Sequence, residues 1–299
     1  MNDPSDLKRW QRDNQTQLAK RLHPLLGQED GMLHIAASET HHVVVTKEED
    51  RICLWLHDEA NKSTGVIQSE LDLVNPFALV DAYTRAALIG LLWSPDPRRI
   101  FTSGLGGGCL PMTMHHHLPN TSIQCVEYDP LVVDAATRFF GFLPDEALRI
   151  AIGDGRRWLE ENPSNERFDI IILDVFDDKG DVPHPLTTLE FFQLCRSSLS
   201  EQGVLIVNLL YLDPHRAARI KTVSAVFDYL YLCPMDDDND VLFAGQRPLP
   251  AKSIYIEQMI RLKERYRFGF PLVRLALKLK PVDIDEIPEW PMTALLTDR

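Results

Sequence analysis

The chain has 299 residues, of which 44% are hydrophobic, and its formal net charge is −13 at pH 7. This length allows one large domain or two smaller ones with a substantial core. The acidity makes a nucleic-acid backbone an unfavourable partner and suits a cationic substrate such as an amine. No apolar run approaches the roughly 20 residues of a membrane span, and the polar N-terminus lacks a signal core. We therefore expect no membrane span and a cytoplasmic protein.

The N-terminal third predicts a helix followed by a small sheet. Residues 5–26 have the composition of a polar helix, and residues 31–74 contain short β-rich runs around charged turns. These runs predict an antiparallel sheet of three or four strands. Asn75-Pro76 then predicts the start of a helix over residues 77–93.

From residue 98 onward, strands and helices alternate. The predicted strands are RRIFTSG, SIQCVEYD, LRIAIGD, FDIIILDVF and GVLIVNLL, and each precedes a helical segment. This order predicts an α/β fold with a parallel sheet and helices on both faces. A terminal hairpin follows, and then a basic amphipathic segment that predicts a surface helix pair or a dimer contact, with a membrane-surface helix as the alternative.

Five dispersed cysteines show none of the CxxC spacing of metal or redox sites; they are Cys53, Cys109, Cys125, Cys195 and Cys233. We expect buried thiols and a reducing compartment. The run His115–His117 does not predict a metal site either, because successive helical residues point about 100° apart. Thr187 and Glu190 have the spacing of a capping box, which gives both a structural role.

Glycines cluster where the first predicted strand of the alternating region meets its helix: Gly104, Gly106, Gly107 and Gly108. Glycines let the backbone approach a ligand closely, and a helix N-terminus favours electron-rich groups. Glu127 ends the next strand and places a carboxylate where it can accept hydrogen bonds from both ribose hydroxyls. The arrangement predicts a nucleoside cofactor, and it also fits a dinucleotide.

Aspartates follow at the ends of the later strands. Asp154 can accept the exocyclic amine of adenine or cap the next helix, and the sequence favours the two roles equally. Asp174 ends a buried strand, where a raised pKa would suit a base that takes a proton from an amine. Asp177 and Asp178, on the loop that follows, add negative charge that would face a cation.

In order and spacing, these motifs resemble the spermidine synthase (polyamine aminopropyltransferase) family, and particularly its bacterial spermidine-synthase-like branch. The resemblance runs from about Gln68 to Asn208. It covers SGLGGGCLP, VEYDP, IGDGRRWL, DIIILDVFDDKGDVPHPLTTLEFF and GVLIVNLL.

The resemblance implies a methyltransferase-like Rossmann fold preceded by a small β-domain. We therefore divide the chain into an N-terminal helix (1–30), a β-domain (31–75), a Rossmann-like nucleoside-binding domain (76–250) and a C-terminal helical extension (251–299). The implied co-substrate is decarboxylated S-adenosylmethionine or S-adenosylmethionine. The implied acceptor is a small-molecule amine, no metal takes part, and the implied assembly is a homo-oligomer.

The resemblance also implies roles for single residues. Asp174 would deprotonate the attacking amine, while Tyr83 and Asp177 would contact the substrate. The residues that would bind the donor are Gln68, Gly104, Gly106, Gly107, Glu127 and Asp154, with Glu127 on the ribose and Asp154 on the adenine.

The sequence departs from the family on the amine side of the site. Gly106 stands where the family usually has an aspartate that helps to hold the donor's amine. Leu79 and Val80 replace an acidic pair, and Arg85 replaces an acid and could favour a carboxylate. The nucleoside half of the site therefore matches the family, whereas the amine half is rewritten.

Three functions stay open from the sequence. The first is aminopropyl transfer from decarboxylated S-adenosylmethionine to an amine, and the second is S-adenosylmethionine-dependent methylation of a small molecule. The third is non-catalytic nucleoside binding. Gly106 and Arg85 favour methylation over aminopropyl transfer, and Asp174 argues against a non-catalytic protein. Binding of NAD is disfavoured because DIIILDVFD and PHPLTTLEFF have no role in it.

Overall fold

The architecture is taken from a computed structural model of the chain. The residues that the structure describes are 4–38, 41–58, 65–163, 166–177, 179–211, 213–235, 239–283, 287 and 293–298. Of the helices in these ranges, none combines the length and the apolar character that a membrane crossing requires.

A long helix and a four-stranded sheet form the N-terminal part, as the sequence predicts. The helix is α1 (Pro4–Leu26). The strands are β1 (Gly31–Ala37), β2 (His41–Glu48), β3 (Arg51–Asp58) and β4 (Gly65–Asp72), and each pairs antiparallel with the next. Val43, Val45, Ile52 and Leu54 are fully buried, so the sheet turns one face to the core.

The helix predicted over residues 77–93 is wrong in its first part. Helix α2 is only Ala82–Ala87, and a 3-10 segment, Leu88–Leu92, continues it. Leu79 has a φ of 52°, a left-handed conformation that a right-handed helix cannot contain. Residues 75–81 therefore form turns, which carry Val80 and Asp81 along the wall of the cavity described below.

An eight-stranded sheet with helices on its faces confirms the predicted α/β fold. Its strands are β5 (Arg99–Ser103), β6 (Ser122–Glu127), β7 (Leu148–Ile152), β8 (Phe168–Leu173), β9 (Leu199–Leu210), β10 (Tyr229–Pro234), β11 (Asn239–Gly245) and β12 (Lys280–Pro281). Their order in space is β12-β10-β11-β9-β8-β5-β6-β7. The pairs from β9 to β7 are parallel, whereas β10, β11 and β12 are antiparallel additions.

Connecting helices follow the strands. These helices are α3 (Cys109–His117), α4 (Pro130–Phe139), α5 (Gly155–Glu161), α6 (Leu189–Ser198), α7 (Arg216–Ser224), α8 (Lys252–Tyr266) and α9 (Leu272–Lys278). A side chain caps the start of α4, α5 and α6. The Asp129 carboxylate caps α4 by accepting the Leu131 N–H at 2.8 Å. Thr188, not the predicted Thr187, caps α6, because the Thr187 hydroxyl donates instead to the His184 carbonyl.

The C-terminal helices pack on the molecule. Tyr255, Met259 and Leu262 of α8 are buried in the core, so the apolar face of this amphipathic helix packs against the rest of the protein. Strand β12 then joins β10 at the edge of the large sheet. The extension thus contributes to both the core and the sheet, and the boundaries at residues 30, 75 and 250 stay predictions.

The five cysteines and the run His115–His117 are buried in the fold. All five cysteines are buried free thiols, as expected. His115 approaches Asp145 at 3.1 Å, His116 stacks on Phe77, and His117 lies 2.8 Å from the Tyr266 carbonyl oxygen. His116 and His117 also contact each other edge to face, with ring centroids 4.7 Å apart, and each of the three rings has its own partner.

Candidate active site

A cavity of ≈ 740 Å³ lies where β4 and the start of α2 meet the carboxyl ends of the parallel strands. Ligands of parallel α/β sheets bind at this edge. Six carboxylates line the cavity: Glu70, Asp81, Glu127, Asp129, Asp174 and Asp177. No lysine or arginine is among the described residues of its lining. The cavity is therefore suited to a cation.

The glycine loop forms one wall of this cavity. Gly104 has a φ of +93°, and a Cβ placed there would lie 1.9 Å from the backbone oxygen of Asp174, so only glycine lets the two strand ends meet. A Cβ on Gly106 would lie 3.1 Å from the carbonyl oxygen of Gln68, which places β4 directly over the loop. Gly107 faces the core instead, because its Cβ would contact the Phe140 ring.

Glu127 joins the loop to the end of β6. Its Oε2 accepts the Leu105 N–H at 2.8 Å, and its Oε1 accepts the Asp129 N–H at 3.0 Å. Burial raises the pKa of Glu127, and these backbone donors oppose that effect. The carboxylate is thus fixed at the rim of the cavity, where each oxygen can accept a further hydrogen bond.

Asp154 caps α5, which is one of its two predicted roles. Its Oδ1 accepts the Arg157 N–H at 2.8 Å, and the residue is not part of the cavity lining. It lies beyond the end of β7, two strands from β5. A contact with adenine at this position stays a prediction.

Asp174 is the centre of a hydrogen-bonded cluster. The Asn208 amide donates to Asp174 Oδ1 at 2.8 Å, and the Tyr83 hydroxyl donates to the same carboxylate. Burial raises the pKa of Asp174, and the two donors lower it because they stabilise the ionised form. Burial and the Asp174 charge together raise the pKa of Tyr83. Both predicted residues therefore lie in one cluster at the cavity.

Other polar residues at this end of the cavity were not predicted from the sequence. Asn239 donates from Nδ2 to Asn208 Oδ1 at 2.8 Å, so a second amide stands behind the first. Asp81 lines the cavity two residues before Tyr83, and its side chain does not cap α2. An acidic residue just before a helix is normally interpreted as an N-cap. For this reason the sequence alone does not indicate that Asp81 lines the cavity.

The remaining predicted residues divide between the cavity and its surroundings. Gln68 and Asp177 line it, whereas Asp178 lies outside the described residues. Arg85 does not line it, because its guanidinium turns back to donate to the Val80 carbonyl at 3.1 Å. The hypothesis that Arg85 favours a carboxylate ligand therefore receives no support from its position.

A contact between His41 and Asp129 connects the small sheet to the large domain. The Nε2 of His41, on β2, lies 2.7 Å from a carboxylate oxygen of Asp129, which caps α4.

Comparison with protein families gives a match over the middle of the chain. The family model described as the spermine/spermidine synthase domain matches residues 87–213. A polyamine aminopropyltransferase from Vibrio vulnificus (strain CMCP6) is 30% identical over 245 residues, which cover 81% of each chain. An eEF1A lysine and N-terminal methyltransferase from Bos taurus is 32% identical over 171 residues, covering 52% of this chain but only 24% of that enzyme.

Solved structures share the fold. A probable spermidine synthase from Corynebacterium glutamicum superposes with a TM-score of 0.66 at 18% identity, covering 91% of this chain and 97% of the other. Human methyltransferase-like protein 13, in complex with SAH, superposes with a TM-score of 0.55 at 26% identity, covering 70% of this chain and 98% of the other. Both superpose on the Rossmann-like core of this chain, and the superposition on the probable spermidine synthase covers the larger share of it.

Proposed function

This chain belongs to the spermine/spermidine synthase family, and on that premise we propose that it transfers an aminopropyl group from decarboxylated S-adenosylmethionine to an amine. The cavity has room for a nucleoside and an amine together. Its carboxylates suit the positive charges that the reaction brings in, which are the sulfonium and the ammonium of the donor and the ammonium of the acceptor.

The donor's nucleoside would lie along the glycine loop. Glu127 would accept the ribose hydroxyls while it continues to hold Leu105 and Asp129 in place. Gln68 would cover the nucleoside from β4, and Asp154 would accept the adenine amine with the oxygen that does not cap α5. Because most of these groups are held by backbone contacts, they need little rearrangement on binding.

Asp174 would act as the general base on the acceptor. The amine arrives as an ammonium and gives a proton to the carboxylate, whose raised pKa makes it a stronger base than an ordinary aspartate. The nitrogen lone pair then forms a bond to the carbon next to the sulfonium. The carbon–sulfur bond breaks, its electron pair stays on sulfur, and neutral methylthioadenosine leaves. Tyr83 and Asp177 would orient the amine from the two sides of Asp174.

The observation that carries this proposal is the charge of the cavity, with six carboxylates and no lysine or arginine among its described lining residues. Both donors carry an ammonium group, but only S-adenosylmethionine carries a carboxylate as well. A cavity lined by carboxylates attracts the ammonium and repels the carboxylate, so it favours the decarboxylated donor. Asp81 supplies charge near the position where Leu79 and Val80 replace acids.

A second candidate function is methylation with S-adenosylmethionine. It is favoured by the 26% identity to human methyltransferase-like protein 13, whose structure holds SAH, and by the missing side chain at Gly106. On this alternative the same base would serve a nucleophile that attacks the methyl carbon. The nucleoside product distinguishes the two reactions, because aminopropyl transfer releases methylthioadenosine and methyl transfer releases S-adenosylhomocysteine.

The experiment supplies each donor with a panel of primary amines and identifies the nucleoside product by mass spectrometry. We expect methylthioadenosine from the decarboxylated donor, only when an amine is present, and none from the Asp174→Asn protein. S-Adenosylhomocysteine as the main product would support methylation instead. Binding of methylthioadenosine without any turnover would support the non-catalytic alternative.

A further inference from the structure

Two asparagine side chains stand in series behind Asp174. Asn208 is near the end of β9 and Asn239 begins β11, and these strands are antiparallel neighbours with Val241 opposite Asn208. The Nδ2 of Asn239 donates to Oδ1 of Asn208, and the Nδ2 of Asn208 donates to Oδ1 of Asp174, each at 2.8 Å. Asn208 is buried, with 5% of its surface exposed. Nothing in the reaction proposed above assigns a role to Asn239.

The second amide decides which end of the first one meets the carboxylate. A carboxamide has a donor end and an acceptor end, and half a turn exchanges them. Because Asn239 donates to the oxygen of Asn208, the NH₂ group of Asn208 is left to face Asp174. The reversed amide would set an oxygen against the carboxylate, an arrangement that is favourable only when Asp174 is protonated.

We propose that Asn239 is a positioning residue that fixes Asn208 as a donor to Asp174 and so keeps this base ionised and correctly aimed. The role of Asp174 as a base rests on the proposed function, whereas the effect of Asn239 on the ionisation of Asp174 does not. Asn239 also lines the cavity, and the effect proposed here reaches Asp174 through the hydrogen bond to Asn208. It opposes the burial of Asp174, which favours the protonated and inactive form of the carboxyl group.

Other titratable groups line the same cavity as Asp174. From the segment that begins α2 these are Tyr83, which donates a hydrogen bond, and Asp81, which adds negative charge. Cys109 lines the cavity from α3, and Asp177 does so from the loop that follows Asp174. All four remain in place when Asn239 is replaced, so a change in the ionisation of Asp174 reports on the amide pair.

The test compares Asn239→Ala and Asn239→Asp with the wild-type protein. Carbon-13 labelling of the aspartate carboxyl groups gives the pKa of Asp174 by NMR without any turnover, and its signal is assigned with the Asp174→Asn protein. We expect the alanine variant to raise the pKa of Asp174 by about half a pH unit to one unit, as expected for one neutral hydrogen bond. The aspartate variant should raise it further, because its carboxylate accepts from Asn208 and turns the amide around.

Kinetics then test the role in the reaction. The acidic limb of the pH profile of kcat/KM should move up with the NMR value, while the KM for the donor stays unchanged. A matched control is Asn162→Ala, which removes an exposed amide at the end of α5 that donates to the Trp158 carbonyl and should leave the limb in place. An unchanged pKa in both Asn239 variants overturns the inference. A raised pKa in a protein that transfers no aminopropyl group overturns the proposed function and leaves the effect of Asn239 on ionisation standing.

Discussion

Replacing Asp174 with asparagine should slow turnover strongly and stabilise the fold at the same time. The amide has nearly the same shape as the carboxyl group, and its oxygen can still accept from Asn208. It cannot accept a proton from an ammonium, so the rate should fall by about a hundredfold to ten-thousandfold. Loss of activity by itself does not distinguish a base from a structural residue, whereas the stability change does.

The sign of the stability change follows from the raised pKa of Asp174. A folded-state pKa above the unfolded value means that the fold binds the proton more tightly, so the ionised carboxylate destabilises the native state at neutral pH. Each pH unit by which the folded pKa exceeds the unfolded pKa corresponds to about 1.4 kcal/mol. We therefore expect Asp174→Asn to raise the free energy of unfolding and the Tm at pH 8, in proportion to the pKa of Asp174 that NMR measures.

The pH dependence provides the decisive measurement. As the pH falls through the folded pKa of Asp174, the wild-type carboxyl group becomes neutral and the advantage of the variant disappears. It should be absent below about pH 4, the pKa of an unperturbed aspartate. Thermal unfolding from pH 4 to pH 8 measures this difference. A variant that is less stable than wild type at every pH, or one that keeps the wild-type rate, would show that Asp174 is not a buried base.

A matched control lies at the opposite end of the same strand. Asp169 of β8 accepts the Arg98 and Arg99 N–H groups at 2.7 Å and 3.1 Å through one oxygen and the Ser200 hydroxyl through the other. Asp169→Asn replaces one acceptor oxygen with a donor. It should destabilise the protein by about 1 kcal/mol and should leave the activity of the folded protein intact.

Two further substitutions test the walls of the cavity. Gly104→Ala forces a Cβ toward the Asp174 carbonyl in a left-handed conformation, which should cost about 1–3 kcal/mol of stability from the backbone alone and abolish nucleoside binding, as measured by urea unfolding and calorimetry. Asp81→Asn should weaken binding of the cationic decarboxylated donor by about 1 kcal/mol, with no change for neutral methylthioadenosine in the same calorimeter.

Each of these substitutions has its own control. Gly27→Ala adds a Cβ where no atom lies within 4 Å, so it should leave stability and binding unchanged. A Gly104→Ala protein that binds methylthioadenosine normally would contradict the close approach of the two strand ends. For Asp81, equal weakening of both ligands would indicate damage to the site rather than the loss of a charge.

The sequence predicts the succession of parallel strands and helices along the chain well, because apolar strand runs alternate with helical segments, some of which begin at a capping residue. The run Ile170–Ile172 indicates a strand that is buried on both faces, and Asp129 followed by Pro130 marks the start of α4. Local chemistry decides these features, so a single sequence is sufficient to find them. Glu127 and Asp174 are found for the same reason, because each ends a predicted strand.

The features that the sequence does not predict depend on contacts between distant segments. Leu79 adopts its left-handed conformation without a glycine or asparagine to signal it, so the start of α2 is misplaced. Asn208 and Asn239 meet only because β11 pairs antiparallel with β9 in one particular register. Arg85 is near the cavity in sequence terms but folds back on Val80, which only the side-chain packing decides.

The donor preference is the most direct test of the proposed aminopropyl transfer. Isothermal titration of the wild-type protein with decarboxylated S-adenosylmethionine and with S-adenosylmethionine measures the two affinities under the same conditions. The carboxylate lining of the cavity predicts that the decarboxylated form binds at least tenfold more tightly, a difference of about 1.4 kcal/mol. A tenfold preference for S-adenosylmethionine would contradict the proposal and favour methyl transfer.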